Sequence, residues 1–540
     1  MLAPPPPPTL PAVPPLPETA PFTPAQRAWL DGWLAGFCAT PAPAPPVALP
    51  LPAETASAAA AGEPGDLPRD LPWHDMSLPL DERLALAAGR PLPQRLMAAM
   101  AQQDCGQCGY LCDSYAAAIA DGSERSLVRC VPGGRETARA LKELLAEGGL
   151  SLPAAPRPAA AMPAPQPPGT TSEVAAAPLA SAIVLNRAGS QKETRHLMFD
   201  LAGTGLAYEV GDVLGVQPEN CPQTVAAVIA LLGACPDDAV DCPDGTRKPL
   251  HEALLRCCDI ARVGDEAVEV LASRAPDLNE SQRLQALAEG YPGAEPEGAD
   301  LLELLQTFRS ARPPVQELVS ALAPLQPRLY SIASSPKLAG TAVDLTVATV
   351  RYERRGRRRS GVASGYLADR VAIGSAVPVF IRKAHDFRLP DDDDMPLVMI
   401  GPGTGIAPFR AFLQERLARG ARGRNWLFFG DQRRACDFLY EEELMQFRRA
   451  GLLDELEVAF SRDQPERIYV QQRMRERGRD LWGWLEEGAR LCICGAAQMA
   501  RDVDAALAAI IARQGGMTTA AAKAYLAAML RDKRYLRDVY

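Results

Sequence analysis

One glycine-rich stretch of the sequence has the residue types and spacing of a phosphate-binding turn. The apolar run 396–400 predicts a buried strand, and apolar residues at helical spacing from Phe409 to Leu417 predict a helix. Between them lie Gly401, Pro402, Gly403, Thr404 and Gly405. Glycine lets the backbone approach a ligand, and free N–H groups at a helix N-terminus attract anions. Taken alone, the stretch is also compatible with a simple chain reversal.

A group of cysteines near the N-terminal third predicts a metal centre. Its members are Cys105, Cys108, Cys112 and Cys130. The remaining cysteines, of 13 in all, are scattered, which does not suggest a disulfide framework. Thiolates with glycine-rich spacers can wrap a [4Fe-4S] cluster, because glycine lets backbone N–H groups turn toward the sulfides. A structural zinc is the alternative, but zinc sites usually pair their cysteines as close doublets or add histidine.

A third group of residues lies on a predicted strand at 328–333. Alternation along the strand places Arg328 and Tyr330 on one face and Ser331 on the other. A guanidinium can bind a pyrophosphate, a phenol can pack on a flat ring, and a hydroxyl can hydrogen-bond at the ring edge. These are the groups that an FAD site requires.

Several folding units must position these groups, because a typical domain has about 150 residues and the chain has 540. Residues 1–70 are rich in proline and alanine and predict disorder, apart from a short amphipathic helix at 23–37 that would dock on this protein or on another subunit. Residues 71–150 form the predicted cysteine unit, a small helical [4Fe-4S] domain with predicted helices at 81–86 and 92–100. Residues 151–177 have the composition of a linker.

The rest of the chain predicts β and α/β architecture. Short strands with glycine punctuation over 178–394 predict an antiparallel β-barrel that begins with strands at 181–186, 193–200 and 211–216. A helical pattern interrupts it at about 221–322. Buried strands alternating with helices over 395–540 predict a doubly wound parallel sheet.

Charge and hydropathy exclude some classes of function. The net charge is -9, and the one basic block, Arg354 to Arg359, is expected to be a solvated hairpin tip. Nucleic-acid binding is therefore disfavoured, because it rests on a broad basic surface. No apolar run approaches the length of about eighteen residues that a membrane span needs, and the first residues lack a signal peptide's features. We expect a cytoplasmic protein without a membrane partner.

From about residue 178 to Tyr540 the sequence resembles the ferredoxin–NADP⁺ reductase module of the diflavin reductases, and within them the flavoproteins of NADPH-dependent sulfite reductase. The family's motifs occur here in the family's order. The resemblance implies an FAD-binding barrel followed by an NADP-binding domain. It also implies that the FAD-binding residues are Arg328, Tyr330, Ser331, Thr349, Val350, Gly361, Val362, Ala363 and Ser364, with Tyr540 at the flavin ring.

The same resemblance implies a site for NADPH. The pyrophosphate would bind at Gly401, Gly403, Thr404 and Gly405. The adenosine 2′-phosphate would bind at Ser461, Arg462, Arg467, Tyr469 and Gln471. Arginines with hydroxyl groups suit a dianion, whereas an NAD site favours an acidic residue on the ribose. A salt-bridged surface is the alternative for these arginines.

The resemblance further implies the residues that frame hydride transfer. Ser331 would hydrogen-bond near the flavin N5 atom, Cys494 would lie beside the nicotinamide, and Asp538 would stabilise positive charge on it. Tyr540 would lie on the isoalloxazine until NADPH displaces it; a frayed C-terminal residue is the alternative. The sequence departs from the family at Ala496, where an acidic residue is common.

The electron path after FAD is a separate hypothesis. Residues 1–177 contain no flavodoxin-type phosphate loop, so FMN is not expected within this chain. The cysteine segment resembles the small [4Fe-4S] domain of Rnf complexes and corrinoid iron–sulfur proteins, which implies a one-electron relay. The implied acceptor is a sulfite reductase hemoprotein subunit with siroheme. The alternatives are another acceptor, such as a ferredoxin, a P450-type heme protein or a nitrate reductase, and a non-catalytic scaffold with a structural metal cluster.

Overall fold

The computed structural model describes residues 71, 73, 78–102, 110–124, 127, 129, 130, 132–147 and 173–540, apart from 292, 297 and 385. The helix predicted at 23–37, Cys105, Cys108 and most of the predicted linker lie outside the described residues. None of the helices within the described ranges has the length and hydropathy that a membrane span requires.

The first described unit is helical. Its helices are α1 (Leu80–Leu86), α2 (Leu92–Ala99), α3 (Cys112–Ala120) and α4 (Gly134–Glu147). Their apolar faces share one core, in which Leu96, Tyr115 and Leu141 are fully or almost fully buried. The helices predicted at 81–86 and 92–100 are thus confirmed to within a residue at each end.

Three antiparallel strands begin the next domain: β1 (Ala175–Val184), β2 (Thr194–Asp200) and β3 (Val213–Val216). β1 starts three residues before the boundary predicted at 178 and ends before Asn186, so the strand predicted at 181–186 was misplaced. Its first residues, Ala175 to Pro178, have the composition of a linker, but they pair with a strand about 200 residues later, from Ala376 to Val379. Composition carries no sign of such pairing.

A helical insert follows β3 and confirms the one predicted at about 221–322. It contains α5 (Pro222–Leu232), the hairpin strands β4 (Ala239–Asp241) and β5 (Arg247–Pro249), α6 (Leu250–Glu252), a π-helical turn (Ala253–Cys257), α7 (Asp265–Ser273), α8 (Leu278–Ala288), α9 (Leu301–Thr307) and α10 (Val315–Ala321). These helices share a core of their own that includes Leu254, Leu271 and Leu304. The hairpin and the π-helical turn were not predicted.

The barrel resumes after the insert. Its elements are β6 (Arg328–Ser331), α11 (Pro336–Ala339), β7 (Ala342–Ala348), β8 (Arg351–Arg354), β9 (Arg357–Ser360), α12 (Val362–Asp369) and β10 (Ala376–Arg382). One six-stranded antiparallel sheet has the order β6-β3-β10-β1-β2-β7. A bridge between Ile332 and Leu345 joins its two edges, which closes the sheet as the barrel prediction requires.

The arginine-rich segment forms the β8–β9 hairpin, but it is not simply a solvated tip. Arg357 and Arg359 form ion pairs with Asp300 and Glu303 of the insert. The Arg359 side chain is only 8% exposed. Alternation along β9 turns these two side chains toward α9 and leaves Arg358 in solvent. The expectation of a solvated run was therefore wrong for these two residues.

The last domain is a parallel sheet between helices. Its elements are β11 (Leu397–Ile400), a 3₁₀ turn (Gly403–Ile406), α13 (Ala407–Arg419), β12 (Asn425–Asp431), α14 (Arg434–Asp437), α15 (Glu441–Arg449), β13 (Glu455–Phe460), α16 (Val470–Glu476), α17 (Gly478–Glu486), β14 (Arg490–Gly495), α18 (Ala497–Gln514), α19 (Thr519–Arg531) and β15 (Tyr535–Val539). The strand order is β13-β12-β11-β14-β15, and each pairing is parallel. Along β11, Val398 and Ile400 face one core while Leu397 and Met399 face the other, which confirms the doubly wound prediction.

Helix α13 differs in one detail from the predicted apolar face. Phe409, Phe412 and Leu413 are fully buried, but Leu417 is 46% exposed. Arg416 is buried instead, and its guanidinium donates to the carbonyl oxygens of Gly423 (2.6 Å) and Met395 (3.2 Å). Those backbone acceptors satisfy the buried cation, so an arginine takes the inward position that the periodicity assigned to leucine.

The same helix joins the parallel-sheet domain to the barrel. Arg410 Nη1 donates to Ala333 O at 2.7 Å and to Asp344 Oδ2 at 2.9 Å, and Arg410 Nε donates to Glu443 Oε2 at 2.6 Å. Ser335 N donates to Gln414 Oε1 at 3.0 Å. One helix thereby fixes the barrel end of β6 against the parallel sheet.

Replacement of Arg410 by alanine is expected to lower the free energy of unfolding by about 3 kcal/mol, because it leaves the Asp344 and Glu443 carboxylates without their cation at an interface. Arg419→Ala in the same helix removes a partner of Glu415, but that carboxylate keeps Lys337 and Ser335, so the loss should be about 0.5 kcal/mol. Urea titrations of both variants measure the difference. Equal losses would contradict the role assigned to Arg410.

Candidate functional site

The candidate site lies where the carboxyl ends of the parallel strands meet. Gly401 follows β11, Asp431 ends β12 and Ser461 follows β13. On the other side of β11, Cys494 lies near the end of β14 and Tyr540 follows β15. Ligands of open α/β sheets bind at this edge. The structure therefore brings to one edge residues from every part of the predicted NADPH site.

The glycine turn packs directly on the neighbouring strand. A Cβ at Gly405 would lie 2.1 Å from Cys494 O, and a Cβ at Gly401 would lie 2.4 Å from Gly405 O. Gly403 has φ +59°, which a side chain rarely tolerates. The predicted order of strand, glycine turn and helix is confirmed, with a 3₁₀ turn between β11 and α13. The turn leaves a concave backbone surface that suits a pyrophosphate.

Replacement of Gly405 by alanine is expected to destabilise the protein by about 2 kcal/mol and to raise the KM for NADPH, because the turn must move away from Cys494 O. Gly483→Ala is the matched control, since a Cβ there meets no atom within 4 Å and the residue lies in α17. That control should be neutral or stabilising. Thermal unfolding with steady-state kinetics on both variants checks the prediction, which fails if the two behave alike.

Three of the predicted catalytic residues are in contact. Ser331 Oγ donates a hydrogen bond to Asp538 Oδ2 at 2.6 Å, and Cys494 Sγ donates to the same oxygen at 3.5 Å. Cys494 and Asp538 are direct partners in the β14–β15 ladder, and Ser331 reaches them from the barrel. The cluster thus lies between the two domains, next to the glycine turn.

The protonation of this cluster follows from its burial. Burial raises the pKa of the Asp538 carboxyl, although the hydrogen bonds from Ser331 and Cys494 favour its charged form. Burial and the adjacent carboxylate hold the pKa of the Cys494 thiol well above its usual value. Cys494 is therefore a neutral thiol near pH 7, which suits a small pocket-lining group better than a nucleophile.

The C-terminal residue is anchored, so the alternative of a frayed end does not hold. Tyr540 N donates to Gly495 O at 3.1 Å, and Tyr540 O accepts from Ala497 N at 3.2 Å. The Tyr540 hydroxyl is hydrogen-bonded to Thr404 Oγ1 at 2.7 Å, while the residue remains 52% exposed. This hydrogen bond ties the C-terminal residue to Thr404 of the glycine turn, a contact that no sequence pattern indicated.

The predicted FAD residues form two local groups in the barrel. On β6, Arg328 Nη1 donates to Gln326 O at 2.9 Å and to Pro327 O at 3.5 Å, and no salt bridge among the described residues involves Arg328. Burial raises the pKa of the half-buried Tyr330. A guanidinium with unused N–H groups beside a phenol fits a flavin nucleotide.

The second group is the turn that precedes α12. Val350 N donates to Ser364 Oγ at 3.2 Å, and Gly361 N donates to Val350 O at 2.9 Å. A Cβ at Gly361 would lie 2.6 Å from Ser364 Oγ. Thr349 N donates to Glu193 O at 2.7 Å. The structure brings Thr349 and Val350 to the helix start at Val362, Ala363 and Ser364, where free N–H groups could hold a pyrophosphate.

The predicted 2′-phosphate residues lie on one loop and the helix that follows it. Ser461 N donates to Asp431 O at 2.9 Å, which places the loop beside the end of β12. Arg462, Arg467 and Tyr469 are exposed, and Gln471 is half-buried in α16. Arg462 also contacts Gln191 of the barrel. Exposed guanidinium groups around a hydroxyl are compatible with the binding of a phosphate dianion.

Sequence reasoning missed an acidic residue at this edge. Asp431 ends β12, and its buried Oδ1 pairs with Lys192 Nζ at 2.5 Å. Its Oδ2 accepts no hydrogen bond from the described residues and lies 4.0 Å from the position of a Cβ on Gly403. Burial raises the pKa of Asp431. The sequence contained a signal for this residue, because Asp431 directly follows the apolar run 426–430. NAD sites carry a ribose-binding acid at the end of such a strand.

The described part of the cysteine unit fits a thiolate-bound group. Cys112 begins α3, and Cys130 is buried. A Cβ at Gly133 would lie 3.0 Å from Cys130 Sγ and 2.1 Å from Thr137 Oγ1. A side chain at Gly133 would collide with Thr137 and crowd Cys130 Sγ, so glycine lets the backbone approach both groups closely.

Comparisons with known proteins agree with this division of the chain. Residues 167–366 match the family model described as an FAD binding domain, and residues 399–505 match the oxidoreductase NAD-binding domain. Proteins named sulfite reductase [NADPH] flavoprotein alpha-component are similar in sequence. The one from Mannheimia succiniciproducens is 45% identical over 65% of this chain and 58% of its own length. The one from Bacillus subtilis is 42% identical over 74% of this chain and 66% of its own length.

A third relative of the same name, from Vibrio cholerae, is 43% identical over 65% of this chain. The matched part spans 57% of that relative, so the chain covers somewhat more than half of the length of these proteins. The site geometry and both family models together lead to one conclusion. This chain carries an FAD-binding domain followed by an oxidoreductase NAD-binding domain.

Proposed function

We propose that the chain is an NADPH-dependent flavoprotein reductase that takes a hydride from NADPH onto FAD and passes single electrons to a sulfite reductase hemoprotein subunit in the cytoplasm. One observation carries the proposal: Ser331, Cys494 and Asp538 meet between the two cofactor-binding domains, beside the glycine turn. The names of the similar proteins support the acceptor.

In this proposal one set of residues binds the two cofactors and another assists hydride transfer. FAD, when bound, accepts a two-electron hydride and releases electrons singly. The glycine turn with Gly401, Gly403 and Gly405 binds the NADPH pyrophosphate, and Arg462 with Arg467 binds the 2′-phosphate. Around the reacting rings, Asp538 stabilises positive charge on the nicotinamide and Ser331 orients that carboxylate. Tyr540 covers the turn and must leave when the nicotinamide enters.

A cysteine-bound cluster would relay the electrons. Cys105, Cys108, Cys112 and Cys130 hold a [4Fe-4S] cluster in this proposal, and FMN is not part of this chain. The glycine beside Cys130 supports it.

Anaerobically purified protein should contain one FAD, no FMN and about four iron atoms per chain. Cys112→Ser should lose the iron, whereas the exposed Cys235→Ser should keep it. Zinc in place of iron would contradict the relay.

Two assays separate the candidate functions. NADPH oxidation with ferricyanide reports hydride transfer alone, and its absence would favour the scaffold. Sulfide formation after addition of a siroheme hemoprotein subunit tests the acceptor. Ferricyanide reduction without sulfide formation would instead favour a ferredoxin, another heme protein or a nitrate reductase.

A further inference from the structure

Three side chains of the helical insert bring metal-ligating atoms together outside the residues assigned to either cofactor. Cys242 Sγ, a carboxylate oxygen of Asp244 and Cys257 Sγ lie within 4.8 Å of one another. Both cysteines are buried, and Asp244 is exposed. Two sulfur donors and one oxygen donor, open to solvent on one side, form a donor set that suits Zn²⁺.

The tip of the β4–β5 hairpin holds two of these ligands. Cys242 N donates to Thr246 O at 2.8 Å, and Gly245 N donates to Cys242 O at 2.9 Å. Asp244 Oδ1 accepts from Thr246 N at 2.9 Å and from Thr246 Oγ1 at 2.6 Å. Because these bonds occupy Oδ1, the other oxygen turns toward Cys257 Sγ, 3.9 Å away. The hydrogen bonds from Thr246 thus orient the Asp244 carboxylate, as hydrogen bonds around a metal site commonly orient its ligands.

The π-helical turn presents the third ligand from the opposite side. It spans Ala253–Cys257 and ends where Cys258 N donates to Ala253 O at 3.0 Å. Turns of this kind are rare and often occur at functional sites. Here the turn places Cys257 beside Cys242 and Asp244, while the adjacent Cys258 is fully buried and is not one of these three ligands.

The charge around the set is balanced for a dication. Two thiolates and one carboxylate carry three negative charges, of which a dication neutralises two. Lys248 of β5 interacts electrostatically with both Cys257 and Asp244 and supplies the remaining positive charge. Its Nζ is 3.2 Å from Glu252 Oε1, which holds the ammonium beside the site without making it a ligand.

We propose that Cys242, Asp244 and Cys257 bind one Zn²⁺ ion, with water as the fourth ligand. The ion ties the hairpin to the π-helical turn and so stabilises the insert that separates β3 from β6. The two cysteines belong to different elements, so a bound metal would cross-link them. The short hairpin has little apolar core of its own to do this.

The test compares zinc content in the full-length, reduced protein after chelator treatment and reloading with Zn²⁺. The wild type should hold about one zinc more per chain than the variant Cys242→Ser/Cys257→Ser. Cys235→Ser, which changes an exposed cysteine of the same insert, should match the wild type. Every protein keeps the predicted cluster cysteines, so their contribution cancels. Equal zinc contents would overturn the proposal.

A second variant keeps the proposal testable if the double variant does not fold. Asp244→Asn changes one exposed carboxylate and should weaken Zn²⁺ binding about tenfold or more, as measured by competition with a chelating dye. Co²⁺ added to the wild type should give thiolate-to-metal charge-transfer absorption that the asparagine variant reaches only at higher Co²⁺ concentration. Unchanged affinity in Asp244→Asn, or a Cys242–Cys257 disulfide in protein freshly isolated without a reductant, would overturn the proposal.

Discussion

Replacement of Asp538 by asparagine is expected to lower kcat for NADPH oxidation about 100-fold, with little change in FAD content or in the KM for NADPH. The carboxylate accepts hydrogen bonds from Ser331 and Cys494 and lies at the junction of the two domains. An amide of the same size keeps the packing but loses the negative charge that stabilises a developing nicotinamide cation. Stopped-flow reduction of FAD by NADPH measures the step directly.

The pH profile separates this role from a structural one. Asp538 must be charged to act, and burial raises its pKa. The wild type should therefore lose activity as the pH falls, beginning above the ordinary aspartate value of about 3.9. The asparagine variant should lack that acid limb. Asp532→Asn, at the exposed end of α19, is the control and should behave as the wild type. A variant that retains both the rate and the acid limb would remove Asp538 from the mechanism.

The second large effect is expected at the 2′-phosphate residues. The double variant Arg462→Ala/Arg467→Ala should raise the KM for NADPH about 100-fold, since each charge-assisted contact is worth about 1.5 kcal/mol, or about tenfold. The KM for NADH should change by less than about threefold, because NADH has no 2′-phosphate for the arginines to bind. Steady-state kinetics with both coenzymes measure the change in preference.

The control for this experiment is Arg479→Ala, an exposed arginine on α17 of the same domain. It should leave both KM values unchanged, which excludes a general effect of net charge. An equal increase in KM for NADPH and NADH would show that Arg462 and Arg467 support the loop rather than bind the phosphate. In that case the acid that sequence reasoning missed, Asp431, becomes the candidate ribose ligand.

Sequence patterns predicted best the features that depend on neighbouring residues. The turn from Gly401 to Gly405 was found because a short apolar run, glycines and helical spacing occur next to one another. The first barrel strand was misplaced because its start at Ala175 is defined by pairing with β10. Leu417 and Arg416 exchanged their expected positions because carbonyl oxygens outside the helix accept from the arginine. The first error arose from a partner strand about 200 residues away, and the second from carbonyl groups that lie just outside the helix.

The sequence by itself determined which chemical groups stand at the ends of the strands, since strand length, glycine turns and residue types are local properties. Only the tertiary structure decided which of these groups meet. Ser331 reaches Asp538 across 207 residues of chain because Arg410 fixes the barrel against the parallel sheet. Cys242 approaches Cys257 because a hairpin packs on a π-helical turn. Such contacts depend on how whole elements pack, and no local periodicity encodes that packing.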